Sequence, residues 1–283
     1  MPNAEEMLAE DLGRFYADPL GYVMYAFPWD TEPSIQIIKL KSPYKERFNC
    51  EYGPDVWASR FLDQLGEEIA KRKFDGRTAV MPIKFATASG HGIGKSTLSA
   101  WIVKFILDTR PYSKGMVTAM TGNQLQTKTW AEGGKWHKLS LTAHLFDFSN
   151  SRGSMMLSRK GMKDAWNCMA LTCKEENSEA FQGLHAVNST AFYIFDEASG
   201  IHPKIFSARA GGSTDGEPMS FDFGNPTRKS GDFFDSCVGK DKHRYIVRSI
   251  DSRDVAITNK ALFQQWLEDE GEDSDYFKVK VRG

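Results

Sequence analysis

Two kinds of apolar run alternate along the chain. Short strand-like stretches recur at 81–89 (MPIKFATAS), 115–121 (GMVTAMT), 166–173 (WNCMALTC), 191–198 (AFYIFDEA), 218–225 (PMSFDFGN) and 243–250 (HRYIVRSI), with longer helical segments between them. Phe192, Tyr193, Ile194 and Phe195 are apolar on both faces, as a strand buried between two helical layers must be. Such alternation predicts an α/β fold with a mainly parallel central sheet flanked by helices. The clearest helix follows the first strand: Leu98, Trp101, Ile102, Phe105 and Ile106 recur at i, i+3, i+4, i+7 and i+8, and Pro111 stops it.

The pattern divides the chain into three parts. Residues 1–75 read as a helical N-terminal region, in which Val56, Phe61, Leu65 and Ile69 share one helix face within 56–74. Residues 76–250 form the α/β core. Residues 251–283 read as a small C-terminal appendage: a helix at 259–271, the acidic stretch Glu268–Asp275, and then YFKVKVRG, whose alternation predicts a strand. A final strand with no turn or partner after it suggests a truncated chain.

Composition narrows the class. The 283 residues are 41% apolar and 26% charged, which excludes wholesale disorder. Lys and Arg total 36 against 37 Asp and Glu, a net charge of −1 that argues against a static basic grip on nucleic acid and leaves room for a transient one through a local patch. No apolar run approaches the roughly 18 residues of a membrane span, and the acidic start MPNAEEMLAEDLGRF lacks the apolar core of a signal peptide. Cys50, Cys168, Cys173 and Cys237 show no metal-site spacing and read as reduced thiols, and His137 and His144 have no third ligand at useful spacing.

The chemistry concentrates at three predicted strand ends. Ser89, Gly90, His91, Gly92, Ile93, Gly94, Lys95, Ser96 and Thr97 lie between a strand and the clearest helix. Glycines let successive N–H groups turn inward as an anion nest, and the helix N-terminus adds partial positive charge. Lys95 is then placed to reach the β- and γ-phosphates of a nucleotide and Ser96 to ligate Mg²⁺. The strict pattern GxxxxGK[ST] fails only at its first position, where Ser89 stands. Asp196 and Glu197 end the most apolar strand, where Asp196 can hold Mg²⁺ and Glu197 can deprotonate an attacking water; an exposed acidic pair at a strand end is the alternative. Asn225 follows the strand SFDFG. With all three strands parallel it shares the edge of Lys95 and Asp196 and can contact water or the γ-phosphate; otherwise Asn225-Pro226 is a turn dipeptide.

Together SGHGIGKST (89–97), TGNQLQTKTW (121–130), FQGLHAVNSTAFYIFDEASGI (181–201) and FGNPTR (223–228) resemble the large terminase subunits of tailed bacteriophages, over roughly 50–283. The resemblance implies a P-loop ATPase with a catalytic Glu that uses ATP and Mg²⁺ to pump double-stranded DNA into a capsid. It makes Lys95, Glu197 and Asn225 the catalytic and coupling residues, Ser96 and Asp196 the metal ligands, and 89–97 the nucleotide loop. It also implies a small-subunit partner, a portal, a ring of copies, and the cytoplasm of a bacterial host. The family's nuclease domain has no counterpart here, so no DNA cleavage is expected. Trp57 precedes Ala58 where relatives carry Gln to read adenine, which leaves Trp57 as core or as base contact. A transition-state arginine from a neighbouring copy has the candidates Arg152, Arg159, Arg209 and Arg228, and a lone chain is accordingly expected to turn over slowly. Lys128, Lys135 and Lys138 are candidate DNA-phosphate contacts or plain solvated lysines. A helicase-like or recombination translocase shares the same catalytic set, and a nucleotide-gated assembly module is a further alternative.

Overall fold

The computed structural model describes residues 4–151 and 153–283. Its strands are β1 (Ile83–Ser89), β2 (Lys114–Thr118), β3 (Phe146–Ser151), β4 (Ser154–Arg159), β5 (Asn167–Ala170), β6 (Ala191–Phe195), β7 (Met219–Gly224) and β8 (Ile246–Ile250). They form an eight-stranded sheet ordered β3-β4-β5-β2-β6-β7-β1-β8. All neighbours from β5 through β8 are parallel, and β3 and β4 add an antiparallel edge. The α/β class and the mainly parallel sheet are those expected from the alternating runs. The hairpin β3–β4 lies outside the six expected strands.

Helix Val56–Arg72 covers one face of the sheet through Phe61, whose ring lies 4.5 Å from Phe85 on β1 and 6.2 Å from Phe221 on β7. Helix Lys95–Thr109 was expected to bury a single stripe, yet Leu98–Thr109 is buried on every side. The N-terminal helix Pro19–Ala26 packs over its outer face, and the two charged residues trapped there are satisfied as a pair: Lys104 Nζ donates to Asp108 Oδ1 at 3.0 Å, and Tyr22 Oη donates to Asp108 Oδ2. A second buried pair closes the far end. Arg110 Nε donates to Glu217 Oε2 at 2.9 Å, and that oxygen also accepts from Tyr16 Oη and Thr190 Oγ1 at 3.0 Å each.

The C-terminal piece corrects the sequence reading. Residues 276–283, expected as a strand, are helical through Arg282, with Asp275–Phe277 continuing into a wider turn Lys278–Arg282. Ser274 caps this start by accepting from Phe277 N at 3.1 Å. Phe277 and Val281, four apart, bury themselves against Phe263 of helix Lys260–Glu270. The cap and the i, i+4 apolar pair outweigh the alternating pattern. No helix among the described residues is long and apolar enough to cross a membrane.

Candidate nucleotide site

The loop after β1 turns on glycines at Gly92 (φ 75°) and Gly94 (φ 89°), a left-handed backbone that other residues adopt only with strain. Gly94 starts helix Lys95–Thr109, so the helix N-terminus opens into the loop. An open cleft of about 560 Å³ lies over Gly92–Thr97. Lys128 and Lys135, expected as DNA contacts or solvated lysines, line the opposite wall of this cleft. Lys138 is exposed elsewhere on helix Trp130–Leu139.

The departure at Ser89 has a local role: Lys95 Nζ donates to Ser89 Oγ at 2.9 Å and to Gly90 O at 3.3 Å. Burial holds the Lys95 ammonium below the usual lysine range, while the Asp196 and Glu197 carboxylates oppose that shift. His91 is likewise held low, by burial first and then by Lys280 and Lys95.

Gly90 sits under the C-terminal segment. A Cβ there would lie 2.3 Å from both Ser252 Oγ and Val281 O. The segment is tied to the loop by His91 N donating to Lys280 O, and by Ser252 Oγ donating to His91 O, each at 2.8 Å. Gly90→Ala is therefore expected to lift residues 275–283 off the loop, with limited proteolysis there accelerating several-fold; an unchanged cleavage pattern would show that the contact is dispensable.

The neighbouring strand tips bring the remaining groups in. Parallel pairing sets Ala88 beside Gly224 and Phe195 beside Asp222, so the ends of β1, β7 and β6 lie side by side. Asn225 Nδ2 donates to Ser89 O at 2.7 Å, and its Oδ1 accepts from Lys95 Nζ at 3.5 Å. Asp196 is buried; its Oδ1 accepts from Glu197 N at 3.0 Å and its Oδ2 from Thr129 Oγ1. Glu197 adopts φ 53°, a strained backbone for a residue with a side chain, and such strain clusters at functional sites.

Sequence reasoning assigned no role to Gln124, Thr129 or Glu132, although the first two lie in the quoted stretch TGNQLQTKTW. Thr121 caps the turn by accepting from Gln124 N at 3.2 Å, and Leu125–Thr129 forms a wide turn of i+5 type. Gln124 Nε2 reaches Glu197 Oε1 at 3.4 Å. Glu132 Oε1 accepts from Thr97 Oγ1 and from Trp136 Nε1, each at 2.8 Å.

The arginine candidates separate. Arg209 is buried, with its guanidinium bound by Asp222 and by Tyr245 Oη, so it cannot serve a neighbouring copy. Arg159 lies on the Phe146 and Trp166 rings and pairs with Glu5 at 3.4 Å. Arg228 is exposed, three residues after Asn225, and Arg152 lies outside the described residues.

Ser96 and Asp196 supply hard oxygen donors that fit Mg²⁺, and the described residues hold no cluster of three or more His, Cys, Asp or Glu. That sparse set suits an ion completed by phosphate oxygens and water. On the loop's flank, an apolar cavity of about 100 Å³ is bounded by Ile93, Gly94, Thr97, Ile37, Trp57 and Ile257. Trp57 is packed in the core at 9% exposure and also edges this cavity. Trp29, Trp101 and Trp136 stand behind it with ring centroids 5.0–5.8 Å apart.

No family model matches the chain. A probable terminase large subunit of Enterobacteria phage P7 is 26% identical over 215 residues, covering 70% of this chain and 41% of the relative. Among solved structures, the large terminase of bacteriophage HK97 matches with a TM-score of 0.54 at 12% identity, over 93% of this chain and 50% of that one. The large terminase of a thermophilic bacteriophage in complex with ADP matches at 0.53 and 14% identity, over 70% and 47%. The chain resembles phage large terminases. It spans under half the length of the curated relative, and the likeness to the terminase structures shows a shared fold.

Proposed function

We propose that the chain is the ATP-hydrolysing motor part of a phage DNA-packaging terminase, coupling hydrolysis to movement of double-stranded DNA into a capsid. The observation that carries this reading is the convergence of Lys95, Asp196, Glu197 and Asn225 on one glycine-turned loop at adjacent strand ends. A thermophilic phage terminase that shares this fold was solved in complex with ADP, which supports a nucleotide as ligand.

In this mechanism the loop amides and the helix N-terminus bind the triphosphate, and the purine rests in the apolar cavity beside Trp57 and Ile257. Lys95 leaves Ser89 for the β- and γ-phosphates. Glu197 accepts the proton of the water that attacks the γ-phosphorus in line. Ser96 and Asp196 would hold Mg²⁺, which would neutralise charge on the phosphate oxygens. Asn225 joins Lys95 to the tip of β7, so a change at the γ-phosphate is felt on that strand. The proposed partners are DNA phosphates, contacted without sequence preference, a small terminase subunit, a capsid portal and further copies in a ring, in the cytoplasm of a bacterial host.

The test is ATP turnover with Mg²⁺ and long duplex DNA, run beside strand separation of a short duplex. Turnover that rises with duplex DNA and with chain concentration, without unwinding, supports the motor. Unwinding favours the helicase-like reading, and tight ATP binding without turnover favours an assembly module.

A further inference from the structure

The stretch 121–132 touches every carboxylate at the site. Gln124 reaches Glu197, Thr129 reaches Asp196, and Glu132 receives Thr97 from the first turn of the loop helix. The stretch is itself anchored away from the nucleotide. Gln126 and Asn150 exchange side chain-to-backbone hydrogen bonds at 2.8 and 3.2 Å, and Trp130 Nε1 donates to Ser149 O at 2.8 Å, which ties it to β3. Its outer side, at Gly122, Asn123 and Gln126, walls a cavity of about 650 Å³ that continues to β4 and β5.

We propose that Gln124 is the positioning residue for the general base, its amide pinning Glu197 Oε1 so that Oε2 is left to face the attacking water. This rests on Glu197 being the base. A carboxylate on a strained left-handed residue at a strand end has no helix or strand of its own to fix its rotation. The Gln124 amide is placed to do so, and the wide turn anchored on β3 fixes the amide. The side chain of Gln124 is half-buried; its Oε1 accepts from the capping hydroxyl of Thr121 at 3.1 Å, while the cap itself uses the Gln124 backbone N–H. Truncation removes one exposed hydrogen bond beside the cap and should leave the fold intact.

The experiment compares wild type, Gln124→Ala, Glu197→Gln and the double variant by steady-state ATP turnover, with nucleotide affinity and thermal melting measured in parallel. For Gln124→Ala the expected result is kcat lower by roughly tenfold, short of the about 10²–10⁴-fold that goes with the base itself. KM and melting stay unchanged. In the Glu197→Gln background, Gln124→Ala should have no further effect, because residues acting through one group are not additive. A kcat left unchanged by Gln124→Ala, or a full additional loss in the Glu197→Gln background, overturns the positioning role. Should Glu197→Gln alone leave turnover intact, the base assignment falls instead, so the two failures are told apart.

Discussion

A chain carrying Glu197→Gln is expected to bind ATP as wild type does and to hydrolyse it about 10²–10⁴-fold more slowly, the usual worth of a positioned general base. The substitution is nearly isosteric and sits at a half-buried strand end, so it disturbs neither the sheet nor the loop. Ground-state phosphate contacts come from the loop amides and Lys95, neither of which depends on Glu197, so affinity should hold while kcat collapses. Equilibrium binding of ATP together with phosphate release measures both halves. Equal turnover in the two proteins would remove Glu197 from the reaction.

The largest stability effect is expected at Glu217, which lies far from the nucleotide. Its carboxylate is fully buried and accepts from Arg110, Tyr16 and Thr190 through a single oxygen, Oε2. Arg110 is also buried, stacks on the Tyr16 ring with its guanidinium 4.0 Å from the centroid, and donates to Tyr16 O at 2.9 Å. Glu217→Ala leaves that guanidinium without a counter-charge, and stranding one member of a buried pair costs about 3–5 kcal/mol. Denaturant titration should show the midpoint falling with the slope unchanged. A loss under about 1 kcal/mol, the level of an exposed pair, would mean that water reaches Arg110.

The sheet was legible because its buried strands are nearly pure apolar runs with no competing helical period; Phe192–Phe195 is the extreme case. The glycine turn into the helix at 89–97 was legible because Gly92 and Gly94 there answer to backbone geometry at fixed spacing. The hairpin β3–β4 was missed because an edge hairpin buries only part of one face. Asp147, Ser149 and Asn150 dilute its period, leaving the turn at Gly153 (φ 80°) as its main local signal. The C-terminal helix was misread because YFKVKVRG alternates, whereas the residues that decide its shape, Phe263 and the Ser274 cap, lie outside that window. Gln124, Thr129 and Glu132 are ordinary polar residues in sequence. Their partners lie 73, 67 and 35 positions away, so only the folded sheet brings them to the site.

The indole cluster beside the proposed base cavity carries a practical consequence. Of the seven tryptophans in the chain, Trp29, Trp57, Trp101 and Trp136 border that one small hollow. A purine entering it displaces solvent from their edges and stacks within quenching range of the same fluorophores. Intrinsic emission thus gives a label-free signal for occupancy, read on the unmodified chain and on the hydrolysis-deficient variant alike.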